Sequence, residues 1–131
     1  MTLEDLETII KTNAVDGINI KIQKAGGIWN AKQMAYRANE AGLKVMVGCM
    51  MEGPVGIAAG VHFAVSTPNV EFTDLDSDIF LFQNLDEPIF SMSPFTDGIR
   101  LPFEKPGLGI EFHESIIEKL VRQNEIIYEE I

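Results

Sequence analysis

Apolar and polar positions alternate from Ile18 to Ile22, with Asn19 and Lys21 set between isoleucines, the period-2 pattern of a β-strand with two unlike faces. Ahead of it, Leu3, Leu6, Ile9 and Ile10 recur at helical spacing through Thr12, behind a capping Thr2 and the first-turn acids Glu4 and Asp5. After the strand, a Gly26-Gly27 turn leads into a helical segment from about Ile28 to Ala41, which Gly42 ends. The run "LKVMVGC", residues 43–49, predicts a second strand, and Gly53-Pro54 opens a small-residue helix, "PVGIAAGVHFAVS". A third strand, "VEFTDLD" over residues 70–76, puts Asp74 and Asp76 on one face and Leu75 on the other. The order αβαβαβ is that of an α/β fold with a parallel sheet and crossover helices.

Beyond Asp76 the pattern changes to short apolar runs broken by Pro88, Pro94, Gly98, Pro102, Pro106, Gly107 and Gly109, which predict turns and small strands. From His113 onward, Ile116, Ile117, Leu120, Val121 and Ile127 gather near one face of an amphipathic helix. The expected divisions are therefore residues 1–84, 85–112 and 113–131.

Length and composition narrow the setting. The 131 residues, 46% apolar, fit one domain with a real core. Cys49 is the single cysteine, so no intrachain disulfide forms, and "MTLEDLETII" is acidic where a secretory signal is basic, which points to a reduced cytoplasmic protein. Lys44, Glu52 and His62 interrupt the most apolar region, which never reaches the roughly 18 uncharged residues of a membrane span. A net charge of -10 disfavours nucleic acid and anionic membranes, both of which need a basic footprint.

Three positions fall at the carboxyl ends or interiors of the expected strands, where α/β folds bind ligands: Lys21, the Cys49 to Glu52 region, and the pair Asp74 and Asp76. A lysine held among apolar groups gives up its proton more readily and suits a general base, whereas an ordinary strand lysine snorkels or pairs with an acid. Two carboxylates at i and i+2 can hold a metal, share a proton or grip an ammonium group, and an aspartate at a strand end also caps turns. Glu52 precedes a helix N-terminus and either answers its dipole or belongs to the site. His62 reads as a core or helix-end residue and His113 as a capping neighbour. No P-loop, no dinucleotide fingerprint and no zincin helix is present, and one cysteine excludes a Cys-rich zinc site.

The stretches "DGINIKIQKAGGI", "GLKVMVGCMMEGPVGIAAGVHFA", "FTDLDSDIFL" and "GIRLPFEKPGLGIEF" cover most of residues 14–112 and resemble the C-terminal part of the enolase superfamily. Within it, the likeness is to the muconate-lactonizing subgroup and its dipeptide epimerases, with "DLD" as the more specific signal. The resemblance implies part of a (β/α)8 barrel, strands six to eight with their helices, followed by a return segment toward a capping domain. It implies that Lys21 is an acid/base lysine acting on a substrate α-carbon and that Asp74 and Asp76 hold a dipeptide's α-ammonium; Glu52, from its place beside the Gly53-Pro54 helix start, is a weaker substrate-binding candidate. A Mg²⁺ ion is implied as the stabiliser of an enediolate, the pairing of Lys base and Mg²⁺ for which enolase-superfamily sites are known.

A full barrel takes about 250 residues. The K-x-K lysines, the three metal-binding acids and the main part of the cap have no counterpart in this sequence, so the metal has no expected ligand in the chain. The resemblance therefore implies a chain inactive alone, completed by an N-terminal barrel and capping portion or by self-association. The alternatives are a non-catalytic half-barrel binding or assembly protein, and a fragment of a cycloisomerase or o-succinylbenzoate synthase-like enzyme.

Overall fold

The computed structural model describes residues 2–78, 90–91, 105–114 and 118. The elements in chain order are α1 (Leu3–Thr12), β1 (Gly17–Ile20), α2 (Ile22–Ala25), α3 (Ile28–Glu40), β2 (Lys44–Gly48), α4 (Pro54–Val65), β3 (Val70–Asp74), β4 (Phe90–Ser91) and β5 (Glu111–Phe112). The strands β1, β2 and β3 form one parallel sheet in that order, which is the partial α/β barrel arrangement expected of βαβαβ. β4 and β5 pair antiparallel through Phe90 and Phe112. The expected tail helix over 113–131 and most of the segment 85–112 lie outside the described residues.

The helices start and stop where local chemistry dictates. Thr2 and Asp5 form a reciprocal capping box, the Thr2 hydroxyl accepting from the Asp5 N–H at 3.2 Å and the Asp5 carboxylate from the Thr2 N–H at 2.7 Å. Pro54 occupies the first turn of α4, where its missing N–H costs nothing.

The first strand is shorter than the alternation suggested. It ends at Ile20, and Lys21 is the extended residue that caps α2, a single helical turn. The Gly26 N–H bonds to the Gln23 carbonyl and the Gly27 N–H to the Ile22 carbonyl, with Gly26 left-handed at φ 82°. This paired closure demands glycine and draws the preceding residues into a turn of helix. Ile22 thus belongs to α2, and the period-2 reading ran two residues past the strand.

One face of the sheet carries the core. Ile18, Ile20, Val45 and Val47 are buried against α3, which contributes Ala31, Met34, Ala35 and Ala38 at helical spacing, and α4, which contributes Ile57 and Val61. Burying each larger aliphatic chain stabilises by about 1.5–3 kcal/mol, so this face holds the fold together. α1 lies on α3, with Leu6 fully buried and Glu7 bound to Arg37 at 2.6 Å and 3.1 Å.

The opposite face is bare among the described residues. A bulge between Val45 and Met46 brings Phe72 rather than Glu71 opposite Met46, so Asn19, Met46 and Phe72 share this face, and Phe72 is 55% exposed. β1 and β3 are edge strands among the described residues. No helix among these residues is long and apolar enough to cross a membrane.

Candidate active site

The carboxyl end of the sheet collects the sequence candidates. Ile20 pairs with Val47, so Lys21 stands level with Gly48, and Gly48 pairs on its other side with Asp74. With strands spaced about 4.8 Å apart, Lys21 and Asp74 rise roughly 10 Å from each other across β2. Gly48 leaves that middle strand without a side chain, and the Asn19 carboxamide fills the space: a Cβ at Gly48 would lie 2.6 Å from Asn19 Oδ1. Asn19, Lys21, Gly48 and Asp74 therefore share one face and one end of the sheet. Lys21 is half-buried and lines a cavity of about 190 Å³ with Asn19, Lys24, Ala25 and Met34. A larger cavity, about 340 Å³, lies by Lys32, Tyr36 and the connection from α4 into β3. That connection feeds the amino end of β3, the wrong end for ligand binding in a parallel sheet.

Leu75 orients the acidic pair. It is buried, and a Cβ at Gly60 of α4 would come within 2.8 Å of its Cδ2, so Leu75 seats on that glycine while Asp74 and Asp76 turn the other way. Asp74 is exposed and Asp76 half-buried. The Cys49 thiol donates to Asp76 Oδ1 at 3.7 Å, and the Cys49 N–H bonds to the Asp74 carbonyl at 2.9 Å.

Glu52 lies in the loop between β2 and α4 and holds its neighbours. Its Oε1 accepts from Gln23 Nε2 at 2.7 Å and its Oε2 from the Met50 N–H. Its carbonyl accepts from the Ser77 hydroxyl at 2.8 Å. Gln23 reaches Glu52 from α2. Neither this link nor the Ser77 bond has a signature in local periodicity, because the partners stand 29 and 25 residues apart. His62 lies on α4, its Nε2 3.4 Å from the Leu108 carbonyl, so the chain at Leu108 rests against that helix.

Cys49, Asp74 and Asp76 are the cluster of potential metal donors among the described residues, their ligand atoms within 4.8 Å of one another. The set does not suit Mg²⁺, which asks for near-octahedral oxygen ligands, whereas a thiol is soft and this one is engaged by Asp76. What the arrangement offers instead is an amine on one side of β2 and two carboxylates on the other.

The chain is 36% identical over 123 residues to the N-succinyl-L-Arg/Lys racemase of Bacillus cereus, which covers 94% of this chain and 32% of that protein. The crystal structure of that racemase superposes with a TM-score of 0.77 over 91% of this chain and 31% of its own. A hydrophobic dipeptide epimerase of Roseobacter litoralis is 40% identical over 105 residues, 80% of this chain and 28% of the relative. The substrate-liganded L-Ala-D/L-Glu epimerase of Bacillus subtilis matches with a TM-score of 0.70 and 37% identity over 82% of this chain and 29% of that one. The chain thus spans about a third of the length of the relatives it matches. The model described as "Enolase C-terminal domain-like" matches residues 1–116, and the chain belongs to that family.

Proposed function

We propose that this chain is the C-terminal portion of a dipeptide epimerase, supplying barrel strands six to eight, with Lys21 as the acid/base and Asp74 and Asp76 as the clamp for the substrate's α-ammonium. The observation that carries the reading is the level placement of Lys21 and Asp74 on either side of Gly48. Lys21, as the free amine, takes the proton from the α-carbon next to a carboxylate; the electron pair left behind delocalises into that carboxylate as an enediolate. Asp74 and Asp76 accept charge-assisted hydrogen bonds from the ammonium and fix which carbon faces Lys21. Return of a proton to the opposite face inverts the centre. That second base, the Mg²⁺ ligands and the lid belong to the portion of the enzyme outside this chain.

The bare face supports completion by that portion. An all-parallel sheet is ordinarily covered on both faces, and open edges template pairing with further strands. The isolated chain is accordingly inactive in this reading. The test mixes the purified chain with the N-terminal barrel and capping portion of a relative, Mg²⁺ and an Ala-Glu dipeptide in D₂O, following α-deuteration and loss of optical purity. Lys21→Ala abolishes epimerisation, together with α-deuteration of the epimer whose C–H faces Lys21; epimerisation that survives this substitution refutes the role of Lys21.

A second reading, racemisation of an N-succinyl amino acid, is favoured by the length of the match to the B. cereus racemase, 94% of the chain. A succinylated nitrogen is a neutral amide, so it would leave Asp74 and Asp76 without an α-ammonium to bind, and a cation only where the substrate's side chain carries one.

A further inference from the structure

We propose that Glu52 is a positioning residue that clasps the three loops carrying the site, rather than a group that touches substrate. The inference rests on the epimerase reading for its kinetic consequence but on hydrogen-bond geometry for its existence. The segments following β1, β2 and β3 each give Glu52 one contact, two to its carboxylate and one to its main-chain carbonyl. Gln23, two residues beyond Lys21, donates to Oε1 at 2.7 Å; Met50, next to Cys49, donates its N–H to Oε2; Ser77, next to Asp76, donates to the Glu52 carbonyl at 2.8 Å. Both carboxylate oxygens are engaged by protein donors. A carboxylate so held is a poor contact for an incoming ligand and a strong tie between loops, because hydrogen bonds to a charged acceptor are roughly twice as strong as neutral ones.

The helix that follows is shaped for this clasp. A Cβ at Gly56 would stand 2.8 Å from both Cβ and Cγ of Glu52 and 3.3 Å from Gln23 Nε2. Glycine is the poorest helix former after proline, and Gly56 stands in the first turn of α4. Here it leaves the room in which the Glu52 stem and the Gln23 amide meet.

The test begins with the 131-residue chain and needs no activity. Cys49 is buried and adjoins the Met50 N–H, so its rate of alkylation by iodoacetamide reports whether the loop is held. Glu52→Ala and Gln23→Glu each raise that rate about tenfold by freeing the loop. The reversed pair, Gln23→Glu with Glu52→Gln, restores both bonds, since Gln at 52 donates its amide to Glu at 23 and accepts from the Met50 N–H. It returns the rate to within about twofold of the parent, a rescue that a general loss of stability does not produce. Gln23→Ala, which removes one tie only, serves where Glu52→Ala does not fold. Equal alkylation rates in the parent, Gln23→Ala and Gln23→Glu overturn the clasp.

In the completed enzyme the same substitutions lower kcat by about 10- to 100-fold with KM nearly unchanged, as misplacement of a catalytic group does. A raised KM at unchanged kcat overturns the proposal, since it makes Glu52 a substrate contact. Absence of epimerisation in the parent mixture is a failure of the epimerase reading alone, because alkylation still decides the clasp.

Discussion

Leu75 sits against Gly60 so closely that a Cβ on the glycine would lie 2.8 Å from Leu75 Cδ2. This contact sets which way the two aspartates face, because Leu75 stands between them on the strand end and is buried while they are not. Gly60→Ala gains up to about 1 kcal/mol of helix propensity but overpacks a close-packed contact, which costs about 1–3 kcal/mol. The expected outcome is a net loss of up to about 2 kcal/mol in urea denaturation. Leu75→Ala opens a cavity and costs about 2–5 kcal/mol. The double variant loses less than the sum, because the space left by Leu75 admits the new methyl; strict additivity in the cycle would refute the contact.

The pair Glu7 and Arg37 ties α1 to α3, and it makes stability depend on pH. The hydrogen bond from the Arg37 guanidinium holds the Glu7 carboxyl below the usual glutamate range, and the Arg37 charge adds to the effect. A folded-state value below the unfolded one means the contribution is complete above the unfolded value and is lost as pH falls through the folded one. Glu7→Gln is therefore less stable than the parent at pH 7, and the difference closes below the ordinary glutamate range. Melting curves at successive pH values check this, with a pH-independent gap as the contrary result. Both side chains are partly exposed, so added salt narrows the gap as well.

Much of this architecture is written in local chemistry. The capping box at Thr2, the proline opening α4 and the apolar stripe of α3 each act over one turn, and the corresponding elements stand within a residue or two of the expected bounds. The end of β1 is different, because the alternation at Ile22 suits a strand while the glycines four and five residues on demand a helical turn, and the turn prevails. The aspartate pair is legible as a strand-end i, i+2 motif. Its orientation is not, since the glycine that seats Leu75 lies fifteen residues earlier on α4. Likewise Gln23 and Ser77 meet Glu52 only once three separate loops are brought to one end of the sheet.

The donor set at Cys49, Asp74 and Asp76 leads to an expectation about metal. Mg²⁺ binds hard oxygen ligands and gives up water reluctantly, so a thiol with two carboxylates offers it little. Calorimetric titration of the chain alone with Mg²⁺ is expected to show no saturable binding below about 1 mM, a free energy near 4 kcal/mol. Addition of the N-terminal portion of a relative restores binding if the ligands reside there. A tight Mg²⁺ site in the chain alone would place the metal with Asp74 and Asp76 and remove them from the ammonium clamp.

The aspartates separate the two substrate readings. A hydrogen bond to a charged group contributes about 1.5–3 kcal/mol, and every 1.4 kcal/mol is tenfold in affinity. Asp74→Asn and Asp76→Asn are each expected to raise KM for a dipeptide with a free α-ammonium by about 10- to 100-fold in the completed enzyme. Asparagine keeps the shape and one acceptor but not the charge, so the loss measures charge-assisted binding rather than packing. For an N-succinyl amino acid with an uncharged side chain the sign reverses, because its carboxylates are repelled by the parent aspartates and the neutral variants relieve that repulsion. Steady-state kinetics on both substrates with the same three proteins therefore decides between them. A KM that rises for the dipeptide only supports the clamp; one that is unchanged for the dipeptide removes Asp74 and Asp76 from ammonium recognition and leaves the racemase reading standing.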